Sequence, residues 1–416
     1  MNRVLVISLD AMTDDDLRQA SQYPHFARLL RQGALATDVL SVFPSLTYPC
    51  HVTMATGCTP QHTGVCNNER FLPDTLQRPW YFYTSQIARP TIFEAAQKAG
   101  LTTGCVMWPC MGKGPIDALV PEIWGDTPDA PFLDPFCQAG TEDLIRAIWP
   151  QVDQIPQGFR QPMFDEFVCA CALEVIRRKR PDLMYVHMCQ IDNAKHYAGL
   201  HSQAVTDAIA RTDALLGRLL EQTDEDTTVV LCSDHGQQPV ERVVYPNRLL
   251  AAHGLLTMDG PVRIAGWQAQ VQSACLSALL YARSPQALAE AMALLQGHGQ
   301  ELGIAEMLTA EQCRRTFQTG GGFSAAILGT PGTYFHNDGG NGPLCVTENL
   351  PYRANHGHDP RQGEKPFFLI SGKHARPMAR ITQGFRLEDE PVTIAAMMGF
   401  DLPGADGRVW REMIQD

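Results

Sequence analysis

Four short apolar runs, each bounded by turn-forming residues, punctuate the chain at Val4–Leu9, Leu183–Cys189, Thr228–Cys232 and Phe367–Ile370. Continuous apolar runs of this length predict strands buried on both faces. Between them, apolar positions recur at helical spacing. From Ser202 to about Glu221, the residues Val205, Ala208, Ile209, Leu215, Leu216, Leu219 and Leu220 lie close to a 3.6-residue stripe, which predicts a helix packed on a sheet. After Leu9, Thr13 is placed to cap a helix whose first turn holds Asp14, Asp15 and Asp16, at the positive end of the helix dipole. The pattern carries that helix to Arg31 and stops it before Gly33. Strands alternating with helices predict an α/β fold, a mostly parallel sheet sandwiched between helices.

The pattern changes between about Pro239 and Asn355, where glycines accumulate (Gly260, Gly266, Gly320, Gly321, Gly322, Gly339, Gly340). Within this stretch Ser277–Ala282 reads as a strand, and Ser284–Leu295 opens with a cap and continues as an amphipathic helix. The division expected is a core formed by 1–240 and 355–416, with a small inserted α+β subdomain at 241–354. No fixed-period repeat and no low-complexity tract interrupts it.

Composition narrows the functional classes. With 416 residues, 44% hydrophobic and 19% charged, the chain reads as a globule, and no apolar run approaches the roughly 20 residues that span a bilayer. The opening MNRVLVISLDAM lacks the apolar region and cleavage site of a signal peptide, so a cytoplasmic location is expected. Thirteen scattered cysteines without a CxxC pair predict buried, reduced thiols. A net charge of −12 argues against a nucleic-acid polymer as partner. It leaves room for a small anionic substrate, because a bound cation can supply local positive charge.

Candidate chemistry lies in six Asp and His residues spread over most of the chain: Asp10 in VLVISLD, Asp192 and His196 in DNAKH, Asp234 and His235 in LCSDHG, and His356 in NHGHD. Singly, each is an ordinary turn or capping residue. Together they offer the mixed carboxylate and imidazole donors that two open Zn²⁺ sites use, the inventory of a two-metal hydrolase. Asp10, Asp192 and Asp234 each fall just beyond the carboxyl end of a predicted strand, the edge where ligands bind in open α/β sheets. Asp192 and His196 share a face if the segment is helical, whereas adjacent Asp234 and His235 suit a loop. The nucleophile candidate is Thr47 in FPSLTYPCHVTMATG, projecting from the first turn of a helix, with Ser45 as its local competitor.

These segments, with PQHTGVCNN, Trp108-Pro109 and the ending VTIAAMMGFDLPGADGRVW, resemble the alkaline phosphatase superfamily, and within it the nucleotide pyrophosphatase/phosphodiesterase family. The resemblance implies one metal ion held by Asp10, Thr47, Asp234 and His235, and a second by Asp192, His196 and His356. It makes Asn68 a phosphoryl-oxygen ligand and Thr47 a nucleophile that passes through a phosphothreonine. Cys50 stands where an asparagine is common in the family. Zn²⁺ is preferred by ligand type, with Mn²⁺ or Fe as alternatives.

The implied activity is hydrolysis of a small phosphate ester, with a nucleotide as the implied class. A sulfatase would need Cys or Ser at position 47 and Arg at position 51, where this chain has Thr47 and His51. No Arg lies between Phe43 and Asn68, which favours a singly charged diester over a monoester dianion. The alternatives are a phosphonoacetate hydrolase-like activity, with Lys113 holding the carboxylate, a phosphomonoesterase, and a non-catalytic zinc-binding relative. His51, His187, His201, His358 and His374 are expected to support the site or the fold rather than bind metal. The aromatic group Phe71, Trp80, Tyr81, Phe82 and Tyr83 is expected to be mainly core, with stacking on a base or aryl leaving group as the alternative. No pattern specifies an oligomeric state.

Overall fold

The computed structural model describes residues 3–124, 133–152 and 160–415. Its central sheet has eight strands, in the order Arg380–Ile381, Ala34–Ala36, Phe368–Ser371, Thr227–Cys232, Arg3–Leu9, Leu183–Met188, Thr103–Val106 and Ala118–Val120. Phe368–Ser371 runs antiparallel to both neighbours, and the other pairings are parallel. The alternation of side chains explains why these strands read as unbroken apolar runs. Leu5, Ile7 and Leu9 pack with the helices Met163–Lys179 and Gln203–Leu220 on one face. Val4 and Val6 pack with Thr47–Thr56, Ile92–Lys98 and Asp389–Met398 on the other. With both faces covered, neither set of positions tolerates polar residues.

One predicted element divides in two. The helix expected to run from Thr13 to Arg31 is a pair, Asp14–Ala20 and Pro24–Gln32. Thr13 caps the first as expected, its hydroxyl accepting from the Asp16 N–H. Pro24 causes the break, because it lacks an N–H and holds Tyr23 in extended backbone (φ −89°, ψ 145°). The second helix is capped from afar, its His25 and Phe26 N–H groups donating to Asp213 Oδ1 at 3.0 and 2.9 Å.

Between the strand Gln238–Val244 and the short strand Ala354–Asn355 the chain builds further sheets. One is antiparallel, in the order Ala269–Ala274, Ser277–Ala282, Ala325–Gly329 and Ile304–Thr309. The helix Pro285–Gly297, capped by Ser284, covers it with the apolar residues Ala291 and Leu295. Ala354 and Asn355 pair with Pro239 and Gln238, so exit and return lie side by side. Stacked rings join this part to the core, Phe71 on Tyr281 at 3.6 Å and Phe43 on Phe317 at 4.4 Å. All thirteen cysteines are unpaired, and among the described residues no helix is long and apolar enough to cross a membrane.

Candidate metal centre and active site

Three adjacent parallel strands bring the candidate residues to one edge. Leu9 lies opposite Met188, and Ser8 opposite Cys232, so the strand ends are level. Asp10 follows the first strand directly. Met188 leads into the helix Gln190–Ala198, whose pitch sets Asp192 and His196 on one face. Cys232 leads into a loop holding Asp234 and His235, and His356 arrives just after Asn355. The donor atoms of Asp10, Asp234 and His235 lie within 4.8 Å of one another, as do those of Asp192, His196 and His356. The two groups abut, with the rings of His235 and His356 stacked at 4.1 Å.

Glycine is required beside one of these residues. Gly357 has φ +86°, and a Cβ there would run into the Ala274 carbonyl. Gly357→Ala is therefore expected to cost at least about 1–2 kcal/mol for the left-handed backbone alone, and to displace His356. Urea unfolding reads the first effect and a zinc titration the second.

Burial dominates the electrostatics. It pushes the Asp10 carboxyl up to about 6, helped by the nearby Asp192 charge. Burial and the Asp10 charge raise Asp234 well above the carboxylate range. Burial would raise Asp192 too, but His196, by charge and hydrogen bond, brings it down to about 2. Burial lowers His235 strongly and His356 to about 3, so both imidazoles are neutral near pH 7, the form that binds a metal. His196 turns Nδ1 to the Ala354 carbonyl oxygen at 2.9 Å, which leaves Nε2 facing Asp192 at 3.2 Å. Asp10 Oδ1 and Asp234 Oδ2 are buried with no hydrogen-bond partner among the described residues. Orphaned carboxylate oxygens beside neutral imidazoles are a costly arrangement in an apolar setting, and divalent cations fit it.

The surroundings hold these groups in place. His187 bridges Asp10 Oδ2 (3.1 Å) and Glu122 Oε2 (3.2 Å). Burial alone would lower its pKa, but the two carboxylates raise it well above the usual range, which favours its protonated form. His51 turns Nδ1 to the Thr47 carbonyl oxygen at 2.8 Å and Nε2 to Ser8 Oγ at 2.9 Å, and its own carbonyl oxygen accepts from Trp108 Nε1. Gln237 donates to Asp192. Cys50 is buried against Ser41, whose hydroxyl donates to the Asp234 carbonyl oxygen at 2.7 Å. His374 lies elsewhere, its N–H directed at Thr228, and His201 faces Glu364 at 3.6 Å.

Thr47 opens the helix Thr47–Thr56, its Oγ1 3.3 Å from His235 Nε2. Ser45 is buried with its hydroxyl committed to the His358 carbonyl oxygen at 2.9 Å, which separates the two competitors. Asn68 accepts the Tyr48 N–H at Oδ1 (2.9 Å), so its amide donors are left for a ligand. Asn67 instead braces a turn, donating to the Ser273 carbonyl oxygen.

Asn68, His196 and His356 line a cleft of about 590 Å³ together with Tyr334, Asn337 and Tyr352, the Tyr352 ring lying 5.3 Å from that of His196. Trp80 also lines it, while Phe71 is taken up by its stack on Tyr281. Sequence reasoning missed Glu122, which sits at the same sheet edge but follows the strand Ala118–Val120, too short to be read from the sequence. Tyr334 and Tyr352 carried no comparable signal.

The sequence pattern of the type I phosphodiesterase / nucleotide pyrophosphatase family matches residues 4–305. The human ectonucleotide pyrophosphatase/phosphodiesterase family member 5 is 32% identical over 278 residues, 62% of this chain and 50% of that protein. The human family member 1 is 23% identical over 261 residues, 59% of this chain and 25% of that protein. The chain thus spans a quarter to a half of the length of these curated relatives. The structure of murine ectonucleotide pyrophosphatase/phosphodiesterase 5 superposes with a TM-score of 0.71 at 18% identity, covering 99% of this chain and 100% of that one. An inactive threonine-to-alanine form of the same murine protein, in complex with AMP, also gives 0.71 at 18% identity, with 100% of both chains covered. The fold is thus alkaline-phosphatase-like, and the chain belongs to the type I phosphodiesterase/nucleotide pyrophosphatase family.

Proposed function

We propose that the chain hydrolyses small phosphodiesters, nucleotide derivatives among them, with Thr47 as nucleophile at a pair of divalent metal ions, Zn²⁺ by donor type. The observation that carries this reading is the Thr47 hydroxyl, held at a helix N-terminus 3.3 Å from His235 beside the buried donor cluster. Asp10, Thr47, Asp234 and His235 would hold one ion, and Asp192, His196 and His356 the other. Bound there, the ions would acidify the Thr47 hydroxyl and offset charge on the phosphoryl oxygens.

Thr47 Oγ1 attacks phosphorus and loses its proton, the ester oxygen leaves with its substituent, and a phosphothreonine forms. Water then cleaves the Oγ1–P bond and restores the hydroxyl. Asn68 donates its amide to a phosphoryl oxygen in both steps. The inactive murine threonine variant supports a threonine at the centre of the chemistry, and its AMP supports a nucleotide ligand.

The cleft favours a diester. Among its described lining residues are Glu69 and Asp338 but no Lys or Arg, so nothing there matches the second charge of a monoester dianion. Lys113, which a phosphonoacetate-type substrate would need, lies outside this lining, over the Tyr83 ring at 5.4 Å. The test is kcat/KM of the zinc-loaded protein on bis(p-nitrophenyl) phosphate against p-nitrophenyl phosphate. A strong preference for the diester is expected, and preference for the monoester would overturn the assignment.

A further inference from the structure

The segment DNAKH contains a lysine that the proposed chemistry leaves unused. Lys195 stands on the helix Gln190–Ala198 between Asp192 and His196 and is fully buried. A buried ammonium is unfavourable unless charge and hydrogen bonds answer it. Here its Nζ donates to the buried Asp16 carboxylate and to the Ala11 carbonyl oxygen, the latter at 2.9 Å. Asp16 is fixed in turn, accepting the Thr13 N–H at 2.9 Å.

Ala11 is the other half of the observation. It follows Asp10 directly and has φ 55°, a left-handed backbone that an alanine adopts only when its surroundings impose it. Its N–H donates to Asp234 Oδ1 at 3.1 Å. One residue therefore faces Asp234 with its amide and Lys195 with its carbonyl, while carrying Asp10 on its N-terminal side. Lys195 itself shares a helix with two members of the other donor group.

We propose that Lys195 is a positioning residue that locks the two halves of the metal centre together. By clamping the left-handed turn at Ala11, it sets Asp10 and Asp234 against Asp192 and His196. The proposal rests on the two-ion reading of the site and extends it to a residue that touches neither ion.

The test is a chelator-competition titration with Zn²⁺ alone, on the full chain, comparing wild type with Lys195→Met and with circular dichroism confirming the fold. Methionine keeps the stem but removes the donors, and leaves Asp16 buried without its partner. A second variant, Lys195→Met with Asp16→Asn, neutralises both ends while the asparagine still accepts from Thr13. The wild type is expected to take up two zinc ions, and a folded variant to bind one or both of them roughly tenfold to a hundredfold more weakly, the usual cost of losing an outer support of a metal site. A purely structural lysine would lower stability and leave both affinities unchanged, and that result in a folded variant overturns the proposal. A wild type that binds no zinc would instead overturn the two-ion reading itself.

Discussion

Thr47→Ala is expected to lower kcat on bis(p-nitrophenyl) phosphate by roughly 10⁴-fold to 10⁶-fold, the range seen when a covalent nucleophile is removed. The neighbours provide no substitute. Ser45 has its hydroxyl turned to the His358 carbonyl oxygen, and Asn68 carries no nucleophilic oxygen once its Oδ1 accepts from Tyr48. Zinc content measured on the same sample separates the explanations. Asp10, Asp234 and His235 remain to hold the first ion, so the variant should keep two ions per chain while turnover collapses. Wild-type turnover with the metals in place would remove Thr47 from the mechanism.

Metal removal should have the next largest effect. Dialysis against a chelator is expected to abolish turnover, zinc to restore it, and saturating zinc to raise the unfolding temperature. At a free concentration a thousandfold above Kd, each site contributes about 4 kcal/mol. The pH dependence of zinc affinity also carries a definite sign. Burial holds Asp10 up to about 6 and raises Asp234 as well, and the Asp192 carboxylate holds His196 above its usual value against the effect of burial, so below about pH 6 an incoming ion must displace protons from Asp10 and His196. Affinity should fall there by about tenfold per pH unit for each proton released. His356, held down to about 3, stays neutral throughout and adds nothing to the fall. Calorimetry in buffers of different ionisation enthalpy counts the protons. Zinc binding below about pH 6 without proton release would remove Asp10 from the donor set.

The sheet was legible where its strands were long and buried on both faces. Val4–Leu9, Leu183–Cys189 and Thr228–Cys232 read as apolar runs within a residue of the strands Arg3–Leu9, Leu183–Met188 and Thr227–Cys232, and the strand-end rule then picked out Asp10, Asp192 and Asp234. Ala118–Val120 has only three residues in the strand, too few to show a pattern, so Glu122 beyond it went unseen. The break at Pro24 was written in the chain, but apolar periodicity on both sides argued for one continuous helix. His356 follows a two-residue strand, and its place came from the family resemblance rather than from periodicity. The clamp of Lys195 on Ala11 spans 184 positions, and a lysine between two candidate ligands looks in sequence like a solvated one. Tyr334 and Tyr352 meet the cleft only because their strand and loop fold back across it, a tertiary fact without a local signature.

The side-by-side pairing of Gln238 and Pro239 with Asn355 and Ala354 has an evolutionary consequence. The chain leaves and re-enters the core through neighbouring hydrogen-bonded residues, so the loops between can lengthen or shrink without moving those two anchors, provided the turn at 274–277, which meets Gly357 and the His356 carbonyl oxygen, is kept. Selection can thus vary the loops around Tyr334 while that turn stays fixed, and exchanging segments of 241–354 between relatives that keep it is the corresponding route to a reshaped cleft.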